Sequence, residues 1–286
     1  MPAPQAPPGP APRAAAGRLP RAPGVYRFRD ARGAVLYVGR AVDLRRRVVS
    51  YWSDLGDRPH LAPMVRRIAR VEALVCDSAH EAAWLERNLL ERRLPPWNRT
   101  RGGQEVPVWV RLDRDGPAVV HDPPGFGPYL GGARVRTAVG AVRRILPVGA
   151  LARARGLDPA DPGALTAVLA RDPAAVAAVR AELERRRDEA THRLAFEAAT
   201  RLQAEIEAFD WLVAEQKVAG ADPAEADAYG WSDGILVRLG VRAGRLCEWE
   251  QTRRRRPEAL LAGTPVVWRP FAERAAGTAA ALVRSG

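Results

Sequence analysis

Three of the chain's 5 tyrosines, Tyr26, Tyr37 and Tyr51, fall in one short span together with several arginines. A phenol hydroxyl can orient a water molecule, and a guanidinium can hold a phosphate through paired N–H donors. Arg40, Arg47 and Tyr51 share one helical face if a helix begins near Arg40. The residue types therefore point to a site for a phosphodiester. On composition alone, strand aromatics beside a solvated arginine face explain the same pattern better.

A single acidic residue, Glu86, is the candidate metal ligand. It lies on a predicted helix, where one carboxylate can hold Mg²⁺ if water and a substrate phosphate complete the octahedron. An ion pair with a nearby arginine is the commoner fate of a helical glutamate. Asn98 either positions a loop at the site or is an ordinary turn asparagine. Gly39, between the tyrosines, has no Cβ and permits a backbone to approach closely.

Local patterns predict the elements that would position these residues. Residues 24–30 and 34–38 alternate as strands do and flank a turn, which predicts a β-hairpin. Asp43 is the expected N-cap of a helix over residues 44–51. Further along, we expect a helix around residues 61–69, a strand at 71–76, a helix from Asp77 or Ser78 to about Arg93, and a strand at 106–112.

The remainder of the chain reads as a loop, a helical region and a final pair of strands. A stretch rich in Pro, Gly and Asp at 113–127 predicts a loop. Asp172 would cap a helix from Pro173, and a break near 192–195 separates it from a second amphipathic helix, which predicts a helical hairpin. Strands at 234–241 and 245–251 form a β-hairpin, and an Ala-rich helix closes the chain. An arginine run at 253–256 either touches DNA phosphate or is a solvated loop, and the loop is slightly favoured.

Charge indicates the class of partner. The 286 residues include 45 Lys+Arg against 33 Asp+Glu, a formal net charge of +12, and the only lysine is Lys217. This excess indicates a polyanion, with nucleic acid first, although so strong a preference for arginine is also typical of genome-wide bias. Residues 18–98 alone hold 16 arginines and 9 acidic residues, so the excess concentrates around the three tyrosines.

Other classes of protein are excluded. Two distant cysteines provide neither a disulfide scaffold nor a thiolate metal cluster. No apolar run approaches the ~18–20 residues of a membrane span, and residues 1–16, rich in Pro and Ala, read as a disordered tail without a signal-peptide core. We therefore expect a cytoplasmic protein with no membrane association.

The candidate residues lie in sequence blocks that resemble the GIY-YIG nuclease domain of UvrC, the incision subunit of bacterial nucleotide excision repair. A helical segment at 194–209 resembles the UVR hairpin through which UvrC meets UvrB, residues 127–136 are similar to the connecting segment, and residues 228–251 resemble the strands that follow the hairpin. The nuclease-like blocks are LPRAPGVY at 19–26, LYVGR at 36–40, LRRRVVSY at 44–51, LERNL at 85–89 and PWN at 96–98.

The resemblance implies an α+β fold with several segments. A disordered tail covers residues 1–16. A small GIY-YIG domain follows at 17–112, with a three-stranded antiparallel sheet flanked by helices. A linker and helical connecting segment at 113–183 leads to the UVR hairpin at 184–219, which would bind a UvrB-like protein. A C-terminal β-hairpin and tail occupy 226–286.

The resemblance also implies roles for the candidate residues. Glu86 would bind one divalent ion, Mg²⁺ or Mn²⁺, and Arg47 would clamp the scissile phosphate. Tyr37 would act as general base for the attacking water. Because a free phenol titrates near ~10, the metal and nearby cations must lower the pKa of Tyr37 for this role. The remaining roles would be water orientation by Tyr26, and lining of the site by Arg40, Tyr51 and Asn98.

Two departures from the family pattern bear on activity. Arg40 stands where the family usually has lysine, and an arginine effectively cannot release a proton. If that group only holds phosphate and lowers a tyrosine pKa, Arg40 serves; if it exchanges a proton, the enzyme is impaired. Residues 113–180 also lack the clustered cysteines that UvrC often carries there, so we expect no iron–sulfur cluster.

The expected function is incision of damaged double-stranded DNA on the 3′ side of a lesion, together with UvrB. The chain after residue 251 is short, so the resemblance is to truncated UvrC homologues without the RNase H-like and helix–hairpin–helix domains. One alternative is a catalytically weak or inactive adaptor that binds DNA and UvrB. A nuclease acting alone on branched DNA is disfavoured, because it would have no use for the hairpin.

Overall fold

A computed structural model describes residues 11–56, 58–102, 105–113, 116–146, 163–220 and 224–284. Its contacts divide the chain into two units, one of residues 1–104 with 216–286 and one of residues 105–215. Residues 1–10 of the tail predicted at 1–16, and residues 147–162 of the predicted connecting segment, lie outside the described residues.

The first unit contains the predicted three-stranded antiparallel sheet. Its strands are β1 (Gly24–Arg29), β2 (Val35–Ala41) and β3 (Arg70–Val75), in the order β2-β1-β3. The turn of the β1–β2 hairpin is fixed by Asp30, whose Oδ1 accepts the N–H groups of Arg32 and Ala34 at 3.0 and 2.9 Å. The predicted hairpin is therefore confirmed, and it places β1 at the centre of the sheet.

Helices flank this sheet, and side-chain caps start two of them. The helices are α1 (Pro12–Gly17), α2 (Leu44–Val49), α3 (Ala62–Val65) and α4 (Ala79–Arg92). Asp43 caps α2 by accepting the Arg46 N–H at 2.8 Å, as predicted. Ser78 rather than Asp77 caps α4, since its Oγ accepts the Glu81 N–H at 2.9 Å.

Two helices differ from expectation. Residues 12–16 fall in the expected disordered tail but form most of α1, because Ala15, Ala16 and Leu19 are buried in the core of the sheet. The helix expected at 61–69 is only the short α3, preceded by a 3₁₀ turn. Pro59 and Pro63 lack the N–H groups that a longer helix would need there.

The C-terminal part of the chain belongs to the same unit. It forms a meander of three strands, in which β8 (Ile235–Arg242) and β9 (Arg245–Arg253) are the predicted hairpin and β7 (Ala226–Ser232) pairs with the other side of β8. The helices α9 (Glu258–Ala262) and α10 (Arg269–Val283) follow. Helix α10 packs on both β3 and β7. Gly230 on β7 permits this close contact, since a Cβ there would lie 1.8 Å from the Ala272 carbonyl oxygen. Residues 216–286 thus group with residues 1–104.

A buried ion network joins the two sheets of this unit. Arg27 on β1 pairs with Glu72 on β3, and its guanidinium lies 3.8 Å from the ring centre of Trp249 on β9 while donating to the Trp249 carbonyl at 2.7 Å. Arg29 and Arg70 lie 2.9 and 3.1 Å from the same carboxylate. Burial raises the pKa of Glu72, but the three guanidiniums outweigh it and hold the pKa below its usual range. The carboxylate therefore stays charged while 1% exposed.

The second unit packs a small sheet against helices. The elements are β4 (Val108–Asp113), β5 (Gly116–Val120), β6 (Phe126–Tyr129), α5 (Gly132–Ile145), α6 (Gly163–Leu169), α7 (Pro173–His192) and α8 (Phe196–Val213). The three strands are antiparallel and lie in the order β5-β4-β6.

No described helix in either unit is long and apolar enough to cross a membrane.

The second unit corrects one prediction and confirms another. The stretch 113–127, expected to be a loop, contributes two strands that pair with β4. The predicted helical hairpin is present, with its break at 193–195. Its first arm begins at Pro173 as predicted, because Asp172 caps it there, accepting the Ala175 N–H at 2.9 Å.

We predict that Glu72→Gln destabilises the protein by about 3–5 kcal/mol at pH 7, since it leaves three guanidiniums without their buried counter-charge. Because the pKa of Glu72 is lower in the folded than in the unfolded protein, the ionised carboxylate contributes fully to folding stability above about pH 4.3, and this contribution is lost as pH falls below that value. Urea unfolding from pH 7 to pH 3 measures both effects. Glu258→Gln, at an exposed glutamate, is the control. A loss of less than about 1 kcal/mol would contradict this account of the network.

Candidate active site

Three tyrosines from different elements meet on one face of the first unit's sheet. Tyr26 lies on β1, Tyr37 on β2, and Tyr51 in the 3₁₀ turn that follows α2. The hydroxyl oxygens of Tyr26 and Tyr51 are 2.8 Å apart, and Tyr37 is hydrogen-bonded to Tyr51. The three ring centres lie 6.0–6.2 Å from one another. The structure therefore brings the predicted tyrosines together in one chain of hydroxyl groups.

Gly39 makes this cluster possible. It lies directly opposite Tyr26 in the β1–β2 register. A Cβ at this position would lie 2.6 Å from the Tyr26 hydroxyl oxygen and 2.7 Å from Tyr37 Cε1. The group that approaches Gly39 is thus the tyrosine ring, and any side chain here would displace the cluster.

Arg47 and Arg40 reach the cluster from different elements. Arg47 lies on α2 and is hydrogen-bonded to Tyr26. Partial burial lowers the pKa of the Arg47 guanidinium, but the oxygens of Tyr26, Tyr51 and Tyr37 outweigh burial and raise it. Arg40 lies on β2, because the helix begins only at Leu44, so the predicted shared helical face is wrong for Arg40. Both guanidiniums nevertheless line the same cleft.

Glu86 faces the site from α4. Its carboxylate lies 3.3 Å from the Arg40 guanidinium, with 22% of the side chain exposed. It is also near enough to Tyr37 to raise the pKa of that phenol. The ion pair with an arginine, which was the alternative to metal binding, is therefore present in this structure.

The donor set fits a magnesium-type ion. Within the described residues, His, Cys, Asp and Glu form no group of three that could hold a metal. An ion on Glu86 would have to complete its shell with water and substrate phosphate, which is the usual arrangement for Mg²⁺. Arg40 would then share the carboxylate with the ion or turn toward the substrate.

Asn98 acts as a strand partner for β2. Its Oδ1 accepts the Val38 N–H at 3.0 Å and its Nδ2 donates to the Val38 carbonyl at 2.8 Å. Because β2 is an edge strand, these groups would otherwise have no partner on that side. Asn98 therefore holds the strand that carries Tyr37 and Gly39.

The three phenols resist ionisation. Burial is the main cause that raises the pKa of Tyr26, Tyr37 and Tyr51 well above the usual range, and electrostatic repulsion from a neighbouring phenol adds to it in each case. Arg47 acts in the opposite direction on each of them. A neutral phenol can orient water through its lone pairs, while taking a proton from water requires added positive charge at the site.

A cleft of about 490 Å³ opens beside α2. Arg58, one of the residues that line it, was not predicted from the sequence. The Arg58 guanidinium carbon lies 4.7 Å from the ring centre of Tyr51, and Nη2 lies 3.5 Å from Ser50 Oγ. No local pattern marks Arg58, because the chain fold alone brings it to the tyrosines. The cleft is lined by Arg40, Arg46, Arg47, Arg58, Asp43, Asp54, Ser50, Ala41, Val42, Leu55 and Gly56.

Comparison with known proteins identifies relatives of this chain. A family model for the UvrC-like GIY-YIG domain matches residues 22–99, a span that includes every candidate site residue. UvrABC system protein C of Syntrophotalea carbinolica is 29% identical over 274 residues, covering 79% of this chain and 43% of that protein. The protein of the same name from Mycobacterium sp. is 32% identical, covering 78% and 39%. The chain thus spans about two fifths of the length of these relatives.

Solved structures also match. The GIY-YIG N-terminal endonuclease domain of UvrC from Thermotoga maritima, bound to its catalytic magnesium ion, is 29% identical. The match covers 30% of this chain and 94% of that domain, with a TM-score of 0.28.

We predict that Gly39→Ala destabilises the protein by about 1–3 kcal/mol, because the added methyl group overlaps the Tyr26 ring. Gly277→Ala is the matched control, since its Cβ would meet nothing within 4 Å and it lies inside α10. That control should be neutral or stabilising by up to about 1 kcal/mol. Urea unfolding gives both values, and near-ultraviolet circular dichroism reports the tyrosine packing. Equal stability of the two variants would show that the cluster does not depend on Gly39.

Proposed function

Since the chain carries a UvrC-like GIY-YIG domain over residues 22–99, we propose that it is a metal-dependent DNA endonuclease of the excision-repair type. It would hydrolyse one phosphodiester on the 3′ side of a lesion, together with a UvrB-like protein. The observation that carries the proposal is that two arginines lining one cleft each contact a candidate group, Arg47 the tyrosine cluster and Arg40 the Glu86 carboxylate. This combination supplies a phosphate clamp, groups that bind water and one carboxylate for a metal.

In the proposed reaction the protein groups hold the phosphate and the water. Arg47, which Tyr26 holds in place, binds the oxygens of the scissile phosphate through its paired N–H groups. The attacking water bonds to the Tyr37 hydroxyl, which is linked through Tyr51 to Tyr26. A divalent ion held by Glu86 would stabilise the developing phosphate charge and the leaving oxygen.

Arg40 supplies positive charge in this scheme and does not transfer a proton. A guanidinium effectively cannot deprotonate, so Arg40 cannot take the proton of the attacking water. Tyr37 can take it only once its own phenol proton has passed to solvent, a loss that Arg47 favours by lowering the Tyr37 pKa and that a bound divalent ion would favour further. Arg40 lies where it can favour that transfer electrostatically or contact the phosphate, because it lines the cleft beside Glu86. With arginine where the family usually has lysine, this position can supply charge while Tyr37 takes the proton.

The Arg40–Glu86 ion pair also favours a second function, a binding adaptor without nuclease activity. At 3.3 Å the guanidinium occupies one side of the only carboxylate proposed to hold the metal. If that pair persists when DNA is bound, the chain would bind damaged DNA and its partner but would not cut. Replacement of Arg40 by lysine would then restore activity.

The tip of the helical hairpin is the proposed docking site for a UvrB-like protein. Leu194, in the turn between α7 and α8, and Phe196, the first residue of α8, are 71% and 65% exposed. Leu194 adopts a positive φ of 57°, a conformation that a leucine rarely adopts. Two large apolar side chains exposed within three residues of each other at a turn are typical of a protein-binding surface.

We predict that the wild-type protein nicks lesion-containing duplex in the presence of UvrB and Mg²⁺, and that Glu86→Gln lowers the rate by about 10²-fold or more. Glu91→Gln is the matched control on the same helix, where Glu91 pairs with Arg87 and Arg245. Nicking by Glu86→Gln at the wild-type rate would refute the proposed metal ligand. No nicking by wild type, with nicking by Arg40→Lys, would establish the adaptor instead.

The same assay tests the hairpin. Phe196→Asp should abolish the stimulation of nicking by UvrB while leaving the unfolding midpoint unchanged. Val266→Asp is the control, because Val266 is equally exposed but lies outside the hairpin. Full stimulation of the Phe196 variant would show that the partner binds elsewhere.

A further inference from the structure

The arginine run at 253–256 forms an ordered surface at the end of β9. All four side chains are exposed. The loop is anchored by Trp231 on β7, whose indole Nε1 donates to the Arg254 carbonyl at 2.9 Å. The Arg256 guanidinium lies 5.7 Å from the centre of the same indole ring. Trp231 therefore contacts this loop at two points, the Arg254 backbone and the Arg256 side chain.

Three of these arginines lack an acidic partner among the described residues. Arg256 lies 2.7 Å from Glu258, whereas no ion pair of Arg253, Arg254 or Arg255 is present in the part of the chain that the structure describes. The arginine-rich helix α7 is different, because its carboxylates neutralise its guanidiniums. There, Arg180, Arg185, Arg186 and Arg187 all have carboxylate partners. Positive charge is thus left uncompensated at the end of β9 in particular.

A chain of neighbouring residues connects this surface with the cleft. Arg45, beside the cleft residue Arg46, donates to the Leu19 carbonyl at 2.5 Å. The adjacent Arg18 donates to the carbonyl of Arg284.

The chain of contacts continues to the arginine run. Arg284 pairs with Asp233 in the β7–β8 turn. The next residue, Gly234, accepts the Arg254 N–H at 2.9 Å. All these contacts lie within the first unit. Asp233 and Glu258, two acidic residues on this route, each already have an arginine partner.

We propose that this route, from α2 through Arg18 and Arg284 to residues 253–256, binds the phosphate backbone of duplex DNA beyond the cleft. The inference rests on the proposed function, because it assigns the DNA that flanks the scissile phosphate to this surface. Guanidiniums without acidic partners can bind successive phosphates, and this binding releases the counterions of the DNA. Because this arginine surface is continuous with the cleft, duplex DNA is favoured as its ligand over an anionic membrane or a separate RNA.

The test is the salt dependence of binding to a labelled, undamaged duplex, measured by fluorescence anisotropy without divalent metal. For the triple variant R253A/R254A/R255A, the slope of log Kobs against log salt should become shallower by about 3, one for each phosphate that is no longer neutralised. R253K/R254K/R255K should retain the wild-type slope. R185A/R186A/R187A removes the same charge from α7, where carboxylates compensate it, and should also leave the slope unchanged.

Each outcome decides the proposal separately from the nuclease function. An unchanged slope in the R253A/R254A/R255A variant overturns the DNA surface, even if the protein nicks DNA. An equal loss of slope in the α7 variant overturns it too, since net charge alone would then explain binding. If the R253A/R254A/R255A variant keeps the wild-type slope for duplex DNA and loses binding only to vesicles of anionic lipid, the surface binds a membrane instead. If wild type fails to nick but the predicted slopes hold, the DNA surface stands and the proposed nuclease function fails.

Discussion

The alternation of side chains along β1 is the constraint on which the first unit depends. Tyr26 and Phe28 point to one face of the sheet and enter the aromatic cluster. Arg27 and Arg29 point to the other face and meet the buried carboxylate of Glu72. Because the side-chain period of a strand is two, a slip of one residue would move the phenol and the guanidinium to the wrong faces together.

The neighbouring strands are matched to this alternation residue by residue. In the register, Gly39 on β2 and Ala73 on β3 lie opposite Tyr26, so that its ring has room on both sides. Glu72 lies opposite Arg27, so the buried guanidinium meets its counter-charge directly across the pair of strands. The same strand thus forms the candidate site on one face and the attachment of the C-terminal sheet on the other.

Much of the site was predictable because it depends on local patterns. The hairpin of residues 24–38 is set by alternation and by Asp30, and the caps Asp43 and Ser78 fix where the two flanking helices begin. The close approach at Gly39 also follows from the absence of a side chain. These features need no knowledge of distant parts of the chain.

The features that escaped prediction depend on distant contacts. Arg58 reaches Tyr51 only through the path of the chain. Helix α1 forms because its alanines are buried, although its composition is typical of a tail. The inclusion of the C-terminal segment rests on Trp249 above Arg27 and on Ala272 against Gly230, pairs whose partners are far apart in sequence. The periodicity of apolar residues along the chain does not predict such distant pairs.

The most direct test of a single-metal site on this face of β1 is the number of Mn²⁺ ions bound per chain. Electron paramagnetic resonance can measure it in the presence of an uncleavable phosphorothioate duplex. One bound ion is expected in wild type and in Glu91→Gln, and none in Glu86→Gln. A wild-type protein that binds no ion, or a Glu86→Gln variant that keeps it, would contradict the assignment of Glu86 as the metal ligand.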